Sequence, residues 1–184
     1  MNIQKIIEGC TEENNRAQEE LYNLFAYEMF GVCLYYSHDY AEAEDTLHEG
    51  FMKVYKNIAS LKGEGALKSW VRRIMINTAL EKYRKKNPLY LVDQNEFREF
   101  EDIDRENIIS NISADELIKM IQELSPQYRM VFNLYALEGY SHKEIATMLR
   151  ISEGTSKSNL ARARAILQKK VKKYFYISSR QMNG

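Results

Sequence analysis

Apolar residues recur three or four positions apart along most of this chain and do not alternate strictly with polar ones, so the pattern predicts helices and no strands. A short first turn carries Ile3, Ile6 and Ile7, and a longer helix ending near Tyr36 places Ala17, Leu21, Leu24, Phe25, Met29, Val32 and Tyr36 on one side. Over 41–58 the residues Ala43, Leu47, Phe51, Val54 and Ile58 form a second apolar face. Gly50 inside that helix costs about 1 kcal/mol relative to Ala, which close approach of a partner or of another helix would explain. Gly63 and Gly65 mark a loop before a third helix over 67–86, with Leu67, Trp70, Val71, Ile74, Thr78 and Leu80 as its apolar positions. Pro88 closes it, and the periodicity lapses until Ser113.

Ser113 with Glu116 makes a capping box that starts a helix through Leu124. Ser125 and Pro126 start the next, Gly139 ends it, and Tyr128, Val131, Phe132, Tyr135 and Leu137 supply core. A second capping box, Ser141 with Glu144, opens a short helix striped by Ile145, Met148 and Leu149, with Ala146 small enough to admit a neighbour. Residues 150–152 leave no room for a loop, so the following helix, capped by Ser152, crosses the first steeply as in a helix-turn-helix. Leu160, Ala163, Leu167 and Val171 fall on one face of that last helix; Lys157, Ser158, Arg162 and Lys169 fall on the other, with Thr155, Asn159 and Ala161 near its edge. A helix of this kind suits a major groove, where side chains meet base edges and cations meet phosphates. The expected fold class is all-α: two small helical domains, 1–87 and 113–184, joined by an acidic linker over 88–112, the second domain holding the helix-turn-helix.

Composition sharpens this picture through its distribution. The 184 residues carry zero net charge overall, which taken whole argues against a nucleic-acid partner. By segment the balance is −1 over 1–86, −7 over 87–118 and +8 from 119 onward, so a field is directed at something. Residues 62–86 hold eight cations against Glu64 and Glu81, with Trp70 and Tyr83 interleaved. Aromatic side chains beside cations can stack on bases exposed in single strands, although Trp70 lies on the apolar stripe and fits the core better. The helix over 41–58 is acidic early, with Glu42, Glu44, Asp45 and Glu49, and basic later, with Lys53 and Lys56. That polarity complements the helix dipole and also makes a protein-binding surface.

Cys10 and Cys33 have neither metal-ligand spacing nor a disulfide framework, and are expected as free, half-buried thiols. The start of the chain lacks the marks of a signal peptide, and no apolar run approaches the ~20 residues that span a bilayer; the expectation is a cytoplasmic protein without membrane insertion. His38, His48 and His142 are scattered, His48 and Glu49 do not continue into a zinc-helix motif, and no phosphate-cradling glycine loop occurs. No catalytic residue, metal or cofactor is expected.

The order of three stretches, AEDTLHEGFMKVYKNI, LKSWVRRIMINTALEKYRKK and LSPQYRMVFNLYALEGYSHKEIATMLRISEGTSKSNLARARAIL, resembles the bacterial RNA polymerase sigma factors of the extracytoplasmic-function group over nearly the whole chain. The resemblance implies core RNA polymerase and promoter DNA as partners, together with an anti-sigma factor. It implies a first domain that holds the polymerase clamp and melts the minus-10 element, and a second that reads the minus-35 element. Carried over by position, Asp45, His48, Glu49 and Phe51 would contact polymerase. Leu61, Lys62, Gly63 and Ala66 in the loop, with Asn77, would capture a flipped minus-10 base, and Arg72, Arg73, Lys82, Arg84, Lys85 and Lys86 would hold phosphates. Thr155, Lys157, Ser158, Ala161 and Arg162 match groove-facing positions at the minus-35 element. The acidic linker resembles a segment that passes through the polymerase interior. Four departures stand out: Arg150 where a helix-ending glycine is usual, Ser156 where a valine is commonly buried, His48 for a common glutamine and Asn159 for a common arginine. A helix-turn-helix regulator that never joins polymerase is the alternative, but it leaves 45–58 and 67–86 without a role.

Overall fold

The computed structural model describes residues 2–86 and 112–182, the last six by backbone alone. Every regular element among the described residues is helical. The acidic linker expected over 88–112 lies, but for Ile112, outside them. The chain divides into two compact units, Met1–Lys86 and Asn87–Gly184.

In the first unit α1 (Ile3–Thr11), α2 (Asn15–Tyr36), α3 (Tyr40–Asn57) and α4 (Leu67–Lys86) pack with α2 against each of the others and α3 against α4. Single-turn 3₁₀ segments, Ile58–Ser60 and Glu64–Ala66, flank the loop between α3 and α4. Side-chain caps start the first three helices: Asn2 accepts from Lys5, Asn14 from Arg16 and Ala17, and Asp39 from Glu42. The stripe read for α3 is buried throughout, from Ala43 to Ile58. On α2 it is buried at Leu21, Phe25, Met29, Val32 and Tyr36, but Leu24, expected in the core, is 37% exposed. One side of α2 is enough to meet its neighbours, and Leu24 lies off it.

Gly50 has its explanation in α4: a Cβ there would lie 2.2 Å from Met75 Sδ, so the glycine lets the two helices close on the Met75 side chain. Cys10 and Cys33 are fully buried free thiols rather than half-buried ones. Burial pushes the Cys33 thiol up to about 12, partly opposed by the charge of Lys82.

The second unit holds α5 (Ala114–Gln122), α6 (Pro126–Ala136), α7 (His142–Leu149) and α8 (Glu153–Met182). The long α8 is the hub, packing against α5, α6 and α7. Both capping boxes form as read, at Ser113/Glu116 and Ser141/Glu144. Pro126 takes the first position of α6, and Gly139, with φ of 76°, reverses the chain so that the Tyr140 N–H donates to the Leu134 carbonyl. Ile121, Leu124, Met130, Val131, Leu134, Ile145, Leu149, Leu160 and Ala163 make the core. Leu137, expected there, is 43% exposed because α6 has already ended. Arg129 is buried and donates from Nη1 to the Gln122 carbonyl at 2.7 Å, satisfying one of the orphan acceptors at the end of α5.

Candidate nucleic-acid and polymerase interfaces

The helix-turn-helix is built by α7, a three-residue turn and α8. Arg150 closes α7 in the left-handed conformation, φ 57° and ψ 45°, and both its N–H and that of Ile151 return to the Ala146 carbonyl. A residue with a Cβ pays about 1–2 kcal/mol for that conformation, a strain that glycine in this position would avoid. Ser152 Oγ then accepts from the Thr155 N–H at 2.9 Å and shares a hydrogen bond with the Thr155 hydroxyl at 2.8 Å, starting α8.

Along α8 the candidate groove residues divide by exposure. Lys157 is exposed; Thr155, Ser158, Ala161 and Arg162 are half-buried at the rim. Lys157 pairs with Glu153 one turn earlier at 2.9 Å, and that hydrogen bond, with the Lys157 charge, holds the Glu153 carboxyl below its usual range. Asn159, read as lying near the groove-facing edge, is only 3% exposed and belongs to the interior, because it falls on the turn of α8 that faces the rest of the domain beside Leu160 and Ala163.

Ser156 is fully buried, as a valine would be, but it is not idle: its hydroxyl shares a hydrogen bond with His142 Nδ1 at 3.0 Å. The His142 ring stacks on Tyr135 with centroids 4.7 Å apart, and the Arg164 guanidinium lies 5.4 Å from the centre of the same Tyr135 ring. Residues from α6, α7 and α8 thus meet in one polar and aromatic chain. Burial, and then the charge of Lys157, holds the His142 imidazole below its ordinary value and favours the neutral ring; Arg164 pushes the same way and Glu153 opposes. The sequence reading missed this linkage. Its one visible signal was a serine at a position where the resemblance called for an apolar side chain.

In the first unit the candidate polymerase contacts lie on α3. Asp45 and His48 are exposed, and Glu49 is half-buried. Phe51, expected among these contacts, is 2% exposed and sits 4.7 Å from the Tyr22 ring and 6.0 Å from that of Tyr55. It is a core residue, since the apolar stripe of α3 takes it inward. Glu49 belongs to an ion-pair cluster: Lys53 reaches Glu49 at 3.1 Å and Glu81 at 2.8 Å, and Lys82 lies 3.8 Å from Glu49. Burial alone would lower the Lys53 pKa, but its hydrogen bonds to Glu81 and Glu49 outweigh that and raise it.

Among the candidate minus-10 residues, Lys62, Gly63 and Ala66 are exposed in the loop and Leu61 is half-buried; Gly63 takes a φ of 85° that only glycine adopts cheaply. Asn77, Arg73 and Lys85 are exposed on α4, and Arg72 and Arg84 are half-buried. Lys82 and Lys86 are turned to α3, the latter 2.5 Å from Glu42, so any phosphate must compete with these carboxylates. Trp70 is half-buried, consistent with packing. Among the described residues no group of His, Cys, Asp and Glu is placed to hold a metal, and no helix is long and apolar enough to cross a membrane.

Comparison with known proteins accounts for both units. Residues 21–88 match the Sigma-70 region 2 family and residues 114–167 match Sigma-70, region 4. The RNA polymerase sigma-H factor of Pseudomonas aeruginosa is 27% identical over 178 residues, covering 90% of this chain and 92% of that protein. The ECF RNA polymerase sigma-E factor of Escherichia coli K12 is 32% identical over 141 residues, 71% of this chain and 74% of that protein. A solved structure of the sigma factor RpoE with the anti-sigma factor NepR from Bartonella quintana shares the fold with a TM-score of 0.51, at 23% identity over 84% of this chain and 96% of that one. A regulator that never joins polymerase would need only the second unit, and the region 2 match removes that alternative. With regions 2 and 4 in order and relatives spanning both, this chain belongs to the extracytoplasmic-function group of RNA polymerase sigma factors, the non-catalytic subunits that direct promoter-specific initiation of transcription.

Proposed function

We propose that α8 reads the minus-35 element through Thr155, Lys157, Ser158, Ala161 and Arg162, while the loop and α4 engage a melted minus-10 element and the exposed side of α3 holds core polymerase. The observation that carries the reading is the rim at the start of α8: a tight left-handed turn at Arg150 projects an N-terminal half-helix whose accessible side chains are hydroxyls, a small residue and two cations. Base edges take bidentate hydrogen bonds from such groups, and phosphates take the cations.

In the first unit, Asp45 and His48 are accessible for polymerase, with Glu49 available once its lysines exchange partners. Lys62, Gly63, Ala66 and Asn77, all exposed, take a flipped base together with the half-buried Leu61; the exposed Arg73 and Lys85 hold phosphates, and Arg72, Arg84, Lys82 and Lys86 join by trading their present contacts. Residues 88–112 serve as an acidic linker, and an anti-sigma factor, like that bound to the Bartonella protein, occludes these surfaces in the cytoplasm until initiation is required. The domains accordingly run 1–87 for polymerase and minus-10 and 113–184 for minus-35.

Single-round transcription with purified bacterial core polymerase on genomic fragments tests the reading. Initiation dependent on this chain, from a small set of fragments sharing two spaced elements, is expected. Arg162→Ala is expected to weaken holoenzyme binding by about 1–3 kcal/mol and to relax preference at one minus-35 position if the side chain is bidentate to guanine. Initiation with unaltered base preference would remove Arg162 from the reading set.

A further inference from the structure

The region 4 match ends at residue 167, yet α8 runs on to Met182. The added turns are fastened to the domain. Lys170 Nζ donates to Glu123, which caps the end of α5, and the Tyr174 hydroxyl donates to Glu116 Oε2 at 2.7 Å, using the carboxylate that also closes the Ser113 capping box. Those hydrogen bonds hold the Glu116 carboxyl below its usual range, that from Tyr174 most of all. The extension is thus held against α5 along one side, and its other side is left to solvent.

That solvent side is basic. Lys169, Lys172 and Lys173 are exposed, and among the described residues none of the three has a carboxylate within ion-pair reach. Lys169 and Lys173 follow Arg162 by seven and eleven residues, close to two and three full turns at 3.6 residues per turn, so they continue the stripe of Thr155, Ser158 and Arg162. Lys172 is turned about 80° off that stripe, and Lys170 and Tyr174 about 80–120° to the opposite side. Helix electrostatics does not account for the cluster, because the dipole acts within the last turn and these lysines lie well before Met182. Like charges three and four residues apart instead work against the helix.

At about 1.5 Å per residue, Lys169 and Lys173 stand roughly 10 and 16 Å along the axis from Arg162. A major groove is about 12 Å wide, so a helix whose first turns lie in it carries those side chains out over the flanking phosphates. We infer that the α8 extension is a second, sequence-independent DNA contact, in which Lys169 and Lys173 clamp the phosphate backbone beside the minus-35 element. The inference rests on the groove-facing reading of α8 given above.

The test uses the full chain in holoenzyme with core polymerase, measuring promoter-fragment binding against KCl concentration for K169Q/K173Q, K169R/K173R and K172Q, with Arg162→Ala in parallel. Each phosphate neutralised contributes about 0.9 to the slope of log affinity on log salt. The glutamine pair is expected to reduce the slope by close to two, to weaken binding by about ten- to fifty-fold near 0.1 M salt, and to do so equally on fragments differing at minus-35. The arginine pair is expected to keep the slope, and K172Q to change it by less than a quarter as much as the glutamine pair. An unchanged slope in the glutamine pair overturns the clamp and leaves the lysines to an acidic protein partner. A K172Q effect of half that of the glutamine pair or more overturns it in favour of net charge alone. Loss of base preference in Arg162→Ala belongs to the groove reading, so the two can fail separately.

Discussion

Replacing Gly50 by alanine tests the contact that brings α3 and α4 together. The added methyl would sit 2.2 Å from Met75 Sδ and 3.0 Å from Met75 Cε, where ordinary contacts begin near 3.4 Å. Met75 has no exposed surface, so its thioether must move through packed core. Overpacking of this kind costs about 1–3 kcal/mol, while the helix gains about 1 kcal/mol from losing a glycine. The net is a destabilisation of roughly 0–2 kcal/mol. Gly31 supplies the control, since a Cβ there meets nothing within 4 Å and Gly31→Ala should gain the full ~1 kcal/mol. The two variants therefore differ by about 1–3 kcal/mol, a separation of roughly 5–20 °C in Tm for a unit of this size. Trp70, the single tryptophan, lies in the first unit, so its fluorescence in thermal and urea melts follows the relevant transition. In a Met75→Ala background, itself costing about 2–5 kcal/mol, Gly50→Ala should recover its ~1 kcal/mol gain. Equal stabilisation by Gly50→Ala and Gly31→Ala in the wild-type background would refute the steric argument.

Three further expectations concern the second unit. Arg150→Gly relieves the left-handed strain of about 1–2 kcal/mol but gives up a cation at the end of α7 worth about 0.3–1, so a net gain of about 0–1.7 kcal/mol is expected in urea melts; a loss would mean the Arg150 side chain matters more than its backbone. Ser141→Ala should cost about 1 kcal/mol through the lost cap, read by the same melts, and an unchanged midpoint would show that the capping box is not stabilising. His142 has a folded pKa below its ordinary 6.5, so the fold favours the neutral ring. Its contribution is complete above pH 6.5 and is lost as the pH falls through the folded value. The decline of Tm over that interval should flatten in His142→Gln, and an identical pH profile would assign the decline elsewhere.

The caps, the glycine turns and the single-sided helices were legible because each is a local event. Ser113 and Ser141 announce helix starts whatever surrounds them, and the α3 stripe from Ala43 to Ile58 is buried as its period requires. Helix α4 was less legible. It packs against both α2 and α3, so Met75, Ile76 and Ala79 are buried beside Leu67, Val71, Thr78 and Leu80 of the expected stripe, while Trp70 and Ile74 are only half-buried, and a one-face period miscounts such a helix. Leu24 and Leu137 show the converse error, apolar residues assigned to the core with no neighbour to cover them. Packing was not legible where a position was carried over on its own: Phe51 and Asn159 turn inward, while the charges around Glu49, Lys82 and Lys86 pair between helices far apart in sequence. Periodicity describes one helix at a time and cannot show such pairs.

The burial of Ser156 without an apolar side chain bears on how α8 is aimed. Apolar packing tolerates small rotations of a helix about its axis, whereas a hydrogen bond fixes direction. The Ser156–His142 bond, with His142 stacked on Tyr135 and Arg164 above that ring, ties the rotation of α8 to α6 and α7. That rotation decides whether Thr155, Ser158 and Arg162 stand outward. Ser156→Val adds buried carbon worth about 0.8 kcal/mol per CH₂ and removes a hydrogen bond worth about 0.5–1.5 kcal/mol, so stability should change by less than about 1 kcal/mol. Promoter discrimination is the more sensitive readout. Ser156→Val is expected to keep its melting temperature while tolerating more minus-35 variants in holoenzyme binding, and Ser156→Thr, if it retains the hydroxyl's contact, to discriminate as the parent does. Unchanged discrimination in Ser156→Val would mean that apolar packing alone aims the helix, and that the polar chain through His142 is a substitute for the missing methyl groups rather than a guide.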